Sequence, residues 1–361
     1  MKAVARPRLT SAVFAATAAL LLSCASLSRA QSAAPISSAS PIFREVIDET
    51  GRTVRVPQPV NRIVSLAPSL TETVYALGLQ DHLVGDTEFC DYPADAQKKT
   101  KVGGGINPSL ELIANLHPDI VLVTKAFNRL ETVQSLENLG ISSYATDPHT
   151  VEEIISSSNK LSNVLGAPEA GATVAGEMKH RLADLQQRIG VLPPKRVLFV
   201  VWTQPLISVG KHTFIADALR LAGAVSIVDS EQDWPQVSLE EVARLQPDLL
   251  VFAESHSDSA SPAVEALATL PGWSIVEAVS KRRVAVISDA VNRPAPRIVS
   301  AIEDLAKQLH PDAFAEKPES NKEKIEKENP PPNQRPADHS SFSLGNLQAR
   351  MAITGGSACA R

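Results

Sequence analysis

Short alternating apolar runs open the ordered part of the chain. Phe43–Ile47 and Thr53–Val56 flank Asp48-Glu49-Thr50-Gly51, which predicts a hairpin with a glycine turn. Pro57 and Pro59 end it. Strand and helix patterns then alternate. Ile63–Leu66 predicts a buried strand, Thr71–Leu77 a helix closed by Gly78, and Leu110–Leu116 a helix stopped by His117-Pro118. Ile120–Val123 predicts a strand and Val133–Leu139 a helix closed by Gly140. This alternation predicts a parallel sheet with helices on its faces.

Residues 168–190 break the rhythm. Pro168 suits a first helical position, Gly190 a helix end, and Pro193-Pro194 forbids continuation. Val174, Met178, Leu182, Leu185 and Ile189 recur every three or four residues and give one apolar face. A helix of this length spans roughly 33 Å at 1.5 Å per residue, enough to run along two lobes. The alternation resumes with a strand at Arg196–Val201, a helix at Phe214–Leu221, a helix at Ser238–Leu245 and a strand at Leu249–Phe252.

Two stretches repeat one another. Ser109–Val123 reads SLELIANLHPDIVLV and Ser238–Phe252 reads SLEEVARLQPDLLVF, 129 positions apart. A weaker echo, Ala76–Leu79 against Ala218–Leu221, precedes each copy. So long a period predicts two similar lobes rather than a solenoid. The expected fold is therefore α/β: two Rossmann-like lobes with parallel sheets, one long helix between them, and a ligand cleft where they face. The expected boundaries are 42–160, 168–190 and 195–311. The repeat also duplicates Glu111 and Glu240 in first helical turns. Carboxylates are favoured there in any helix, but two pseudo-symmetric copies also suit a pair of acidic pegs for a partner's arginines. Ser238 and Glu241 have the spacing of a capping box.

The ends read differently. Lys2, Arg6 and Arg8 precede an apolar run at 12–22, too short to span a membrane and suited to a signal peptide ending at Ala30. Leu21-Leu22-Ser23-Cys24 also resembles a lipoprotein box, which would anchor the chain at Cys24. Residues 31–41 suit a linker. Residues 312–361 suit a disordered tail, since 312–340 hold almost no large apolar side chain. Cys90 and Cys359 either pair in an oxidising compartment or remain two thiols.

Composition narrows the function. The 361 residues are 43% hydrophobic and 21% charged, ordinary for a globular protein, and the net charge of −5 argues against nucleic-acid binding. Eight scattered histidines with no paired spacing disfavour a metal site. No P-loop, GxSxG, HExxH or GxGxxG motif supports an enzyme. Only 4% of the chain is aromatic, yet Phe89, Tyr92, Trp202 and Trp234 follow strands or turns, where crevices at strand ends bind ligand. Trp273 suits a core position.

The segment EVIDETGRTVRVPQPVNRIVSLAPSLTE, from Glu45 to Glu72, resembles the opening of periplasmic binding proteins with a helical backbone. Cys90-Asp91-Tyr92-Pro93, Val102-Gly103-Gly104 and Asn107–Glu111 are further family marks. The resemblance covers about residues 43–311. Trp234–Ser238, and Ser288-Asp289 followed by Arg293, Pro296, Arg297 and Ile298, are similar to the cobalamin-binding subgroup. It implies a non-enzymatic receptor of an ABC importer, acting as a monomer with a permease and its ATPase subunits. It implies a corrinoid as transported ligand, no cofactor and no resident metal. It assigns ligand contacts to Phe89, Asp91, Tyr92, Trp202, Trp234, Asp289 and Arg293, and permease docking to Glu111 and Glu240. A ferric siderophore or haem is the alternative cargo, with Tyr92 as the candidate haem ligand. A two-lobed α/β enzyme is the alternative of another class. Gly105 stands where some cobalamin binders carry Trp, and the expectation is a wider cleft.

Overall fold

The computed structural model describes residues 42–254 and 264–315. The expected leader, the linker, Cys24, Cys359 and the tail beyond residue 315 lie outside the described residues. The hairpin forms as expected, with β1 (Ile42–Ile47) antiparallel to β2 (Thr53–Gln58). Its turn closes on Asp48, whose Oδ1 accepts from the amides of Thr50 and Arg52, both at 3.0 Å. Gly51 takes the left-handed backbone that the turn requires (φ 85°).

The first lobe continues with β3 (Ile63–Ser65), α1 (Pro68–Ala76), β4 (Leu83–Asp86), β5 (Thr100–Lys101), α2 (Leu110–Asn115), β6 (Ile120–Thr124), α3 (Leu130–Asn138) and β7 (Ser143–Thr146). Two helices follow, α4 (Val151–Leu165) and α5 (Pro168–Ile189). The second lobe holds β8 (Lys195–Phe199), the short ribbon β9 (Trp202–Thr203) and β10 (Leu206–Ile207), α6 (Phe214–Leu221), β11 (Ala224–Ser226) and α7 (Leu239–Leu245). It ends with β12 (Leu249–Ala253), α8 (Val264–Thr269), α9 (Glu277–Ser280), β13 (Val284–Ile287) and α10 (Ile298–Leu309). Both sheets are parallel. Their orders, β5-β4-β3-β6-β7 and β11-β8-β12-β13, match over four strands.

The sequence repeat becomes a repeated structural device. Ser109 caps α2 by accepting from the Leu112 amide, and Ser238 caps α7 by accepting from the Glu241 amide. Only half of the expected capping box forms, because the Glu241 carboxylate pairs with Arg244 at 2.6 Å. Each helix is followed by a left-handed residue before proline, His117 (φ 45°) and Gln246 (φ 46°). The next residue is aspartate in both copies. Asp119 accepts from the Arg62 amide at 2.9 Å, and Asp248 from the Arg196 amide at 2.8 Å. The two arginine side chains then donate to the last carbonyls of their helices, Arg62 to Leu116 and Arg196 to Leu245, both at 2.7 Å. These carbonyls lack partners within the helix and need donors. The duplicated Pro-Asp thus locks helix, turn and central strand together.

The long helix α5 is present as expected. A second helix, α4, runs beside it, and no sequence pattern had assigned it. Its first turns place Val151, Ile154 and Ile155 in the second lobe's core with Phe199, Ile215 and Ile302. Its last turns place Leu161, Val164 and Leu165 in the first lobe's core with Val54, Leu70 and Tyr144. Helix α5 does the same in reverse, with Ala170 and Val174 against the first core, then Met178, Leu185 and Ile189 in the second. The lobes are therefore joined by a two-helix strut that shares apolar burial with both.

The strut depends on a close approach at Gly171. A Cβ there would lie 1.8 Å from Ser162 Oγ, whereas one at Gly176 on the same helix would meet nothing within 4 Å. Overpacking a filled contact costs about 1–3 kcal/mol, and Gly to Ala in an open helical position gains about 0.5–1 kcal/mol. Gly171→Val should lower the unfolding free energy read from urea denaturation by about 1–3 kcal/mol, and Gly176→Ala should leave it unchanged or raise it. Equal midpoints for Gly171→Val and the parent would show that the helices are not tightly apposed.

Candidate ligand-binding cleft

All strands of each main sheet run the same way, so their carboxyl ends share one edge. In the first lobe that edge carries the loops after β3, β4 and β6. In the second it carries the β9–β10 ribbon, the Trp234–Val237 segment and the loop after β13. Open parallel sheets bind ligands along such edges.

Charged side chains from the two edges meet. Glu72, on α1, accepts from Arg293 Nη1 at 2.8 Å and from Arg297 at 2.9 and 3.0 Å. Arg293 Nη1 also reaches Asp91 Oδ1 at 2.8 Å, and its Nε lies 3.2 Å from Asp289. Arg297 Nη1 reaches the same Asp289 at 3.2 Å. The Arg297 guanidinium also stacks on the Tyr92 ring, 4.0 Å from its centroid. Burial pulls both guanidiniums down, but the carboxylates outweigh it and hold Arg293 and Arg297 above the usual arginine range.

Four expected site residues, Asp91, Tyr92, Asp289 and Arg293, are thus brought into one cluster. Glu72 and Arg297 complete it without having been assigned a role. Both stood within motifs already singled out, Thr-Glu and Pro-Arg, but a pair 225 residues apart has no local signal.

The aromatic residues stand out from the surface. Phe89, Tyr92, Trp202 and Trp234 are 56, 46, 62 and 53% exposed, which excludes core packing. Trp273, by contrast, is buried in the second lobe, as expected. Ile207 pairs with Trp202 on one side and bridges to Gln236 on the other, so the two tryptophans lie on segments flanking one strand. Trp202 is steadied by its indole N–H, which donates to the Gln204 carbonyl at 2.8 Å.

Three glycines in the first lobe have different reasons. Gly103 has a left-handed backbone (φ 92°). A Cβ at Gly104 would make ordinary contact with the Phe89 ring at 3.6 Å. A Cβ at Gly105 would lie 2.1 Å from Phe127 Cε1. The expectation of a wider cleft at Gly105 therefore meets a second ring, since Phe127 stands where a side chain on residue 105 would begin.

The loop bearing Phe89, Asp91 and Tyr92 is tied down from below. Lys101 Nζ donates to Asp86 Oδ1 at 2.8 Å and to the carbonyls of Cys90 and Ala96, both at 3.1 Å. Cys90 is a buried free thiol beside the hydroxyls of Thr71 and Thr87. Burial pushes the fully enclosed Asp86 carboxyl up to about 6, against the opposing pull of Lys101. Glu111 and Glu240 sit exposed at equivalent second positions of α2 and α7. Neither forms a salt bridge among the described residues.

Two α/β lobes on a shared strut, with rings and ion pairs from both at facing strand ends, define a two-lobed binding protein. A family model described as periplasmic binding protein matches residues 63–291, and the chain belongs to that family. It is 32% identical over 256 residues to a vitamin B12-binding protein of Vibrio cholerae, covering 70% of this chain and 90% of the relative. The crystal structure of the periplasmic vitamin B12 binding protein BtuF of Vibrio cholerae aligns with a TM-score of 0.61 at 30% identity, covering 72% of this chain and 99% of that one. A periplasmic heme binding protein from Pseudomonas aeruginosa aligns with a TM-score of 0.64 at 25% identity, covering 70% and 93%.

Removing the shared carboxylate should be costly. Glu72→Ala leaves two mostly buried guanidiniums short of a partner, a change worth about 3–5 kcal/mol. Guanidinium denaturation should show it, and a loss below about 1 kcal/mol would mean that Glu72 is not the centre of the cluster. Asp86 gives a pH test. Its folded value lies above the ordinary 3.8, so its stability contribution is fully present below 3.8 and lost as pH rises through about 6. Asp86→Asn should therefore gain on the parent protein as pH climbs across that window. A stability difference that stays flat with pH would contradict the buried carboxyl.

Proposed function

We propose that the protein is an exported, non-catalytic receptor that captures a corrinoid such as cobalamin between its lobes and delivers it to the permease of an ABC importer in the inner membrane. The charge balance of the cleft carries this reading. Arg293 and Arg297 are both committed to carboxylates, and Glu72, Asp91 and Asp289 outnumber them by one. A ferric siderophore or the propionates of haem would need cationic partners. The periphery of a corrinoid is largely neutral amide, which exchanges hydrogen bonds with such a cluster without demanding charge. Exposed flat rings suit its flat macrocycle. Relatives whose names specify vitamin B12 favour the same cargo.

Glu111 and Glu240 are the docking groups in this reading. Each stands on the strand-end edge of its lobe, solvated and at a matching position, so a two-lobed permease surface with basic residues could grip both at once.

Calorimetric titration of the purified protein with cyanocobalamin, cobinamide, haem and a ferric siderophore tests the cargo. Corrinoids should bind, and Trp234→Ala should weaken them about tenfold, the loss of roughly 1.4 kcal/mol of stacking and burial. Selective haem or siderophore binding would displace this reading. For docking, Glu111→Lys with Glu240→Lys should leave corrinoid affinity unchanged and abolish uptake in cells that depend on the protein. Undiminished uptake would remove both residues from the docking surface.

A further inference from the structure

We propose that Phe127 is a ligand-stacking residue of the first lobe, and that the pair Gly105–Phe127 sets which flat ligands the cleft accepts. This rests on the cleft described above as the binding site.

The backbone at Gly105 does not need glycine, since its φ lies outside the left-handed range where glycine is favoured. What the position lacks is room. A Cβ would lie 2.1 and 2.7 Å from Phe127 Cε1 and Cδ1, and 2.8 Å from the Leu66 carbonyl oxygen. The ring therefore stands where a side chain on residue 105 would begin.

The ring is held there by its neighbour. Asn128 is buried, and its Nδ2 donates to the Leu66 and Gly105 carbonyls, both at 2.9 Å. Its Oδ1 accepts from the Thr124 amide at 2.7 Å. One amide side chain thus ties the loop after β6 to the exit of β3 and to the glycine loop. Phe127 is fixed between them, at the edge from which Glu72 and Asp91 reach the second lobe.

The ring is only half-buried. It packs on the first lobe's core and keeps partial exposure to solvent. Phe89 lies against Gly104, the next residue along the same loop. Two rings therefore flank the glycine run, one at each neighbouring position, at the strand-end edge of the first lobe. A rigid ring with one free surface suits a flat macrocycle and costs little ordering entropy on binding.

The full-length protein and its Phe127→Leu and Phe127→Trp variants should be titrated with cyanocobalamin, cobinamide and haem, with thermal melts alongside. Phe127→Leu keeps apolar volume and should melt near the parent, but should bind the preferred macrocycle about tenfold more weakly, as loss of ring stacking implies. Phe127→Trp should stay within about threefold, a difference near 0.7 kcal/mol. Parent-like affinity in Phe127→Leu would overturn the assignment while leaving the corrinoid reading intact. A parent that prefers haem would overturn the corrinoid reading, with Phe127 judged on haem. A parent that binds none of the three overturns both.

Discussion

Glu72 is the point on which the two halves of the molecule agree. Its carboxylate receives two guanidiniums from a segment more than two hundred residues away, and each of those reaches further acidic groups. Taking such charges out of water is expensive, and only full pairing offsets it. The geometry supplies that pairing: Arg297 spans Glu72 and Asp289, and Arg293 spans Glu72, Asp91 and Asp289. Because Glu72 cannot move without stranding both guanidiniums, the cluster ties the two lobes together and holds Arg297 against the Tyr92 ring. The strut of α4 and α5 joins the same lobes by apolar burial. One constraint is directional and the other is not, and both act on the spacing of the lobes.

Much of the fold was legible because it was written twice. The duplicated Ser-Leu-Glu and Pro-Asp positions became a duplicated cap, turn and strand anchor, and the apolar face of residues 168–190 became a helix of the expected length. What escaped detection had a physical reason. Helix α4 carries serines at 156–158 and 162, which blur its apolar stripe, and its two ends serve two different cores. Arg62 and Arg196 act on carbonyls about fifty positions away, which no spacing rule reveals.

The candidate site was legible only as separate pieces. Strand-end aromatics could be picked out because they interrupt no apolar face, and their exposure agrees with that placement. Gly105 was noticed as an absence, and the ring that fills the space came from a loop where Phe127 resembled any other apolar residue after a strand. Glu72 looked like one more carboxylate on a helix. Its importance comes from burial and from Arg297, and both are properties of the folded chain.

The cluster is not uniform, and that matters for binding. The Glu72 side chain is 2% exposed, whereas that of Asp91 is 28% exposed, yet both hold the same Nη1 of Arg293 at 2.8 Å. Releasing Glu72 would strand a buried charge and free Arg297 as well. Releasing Asp91 costs far less, because water can reach it and Arg293 keeps two other carboxylates. In the proposed reading, a polar group of the ligand would therefore compete with Asp91 and leave Glu72 in place. On that reading, capture would exchange one hydrogen-bonded partner at the rim while the buried half of the cluster stays paired.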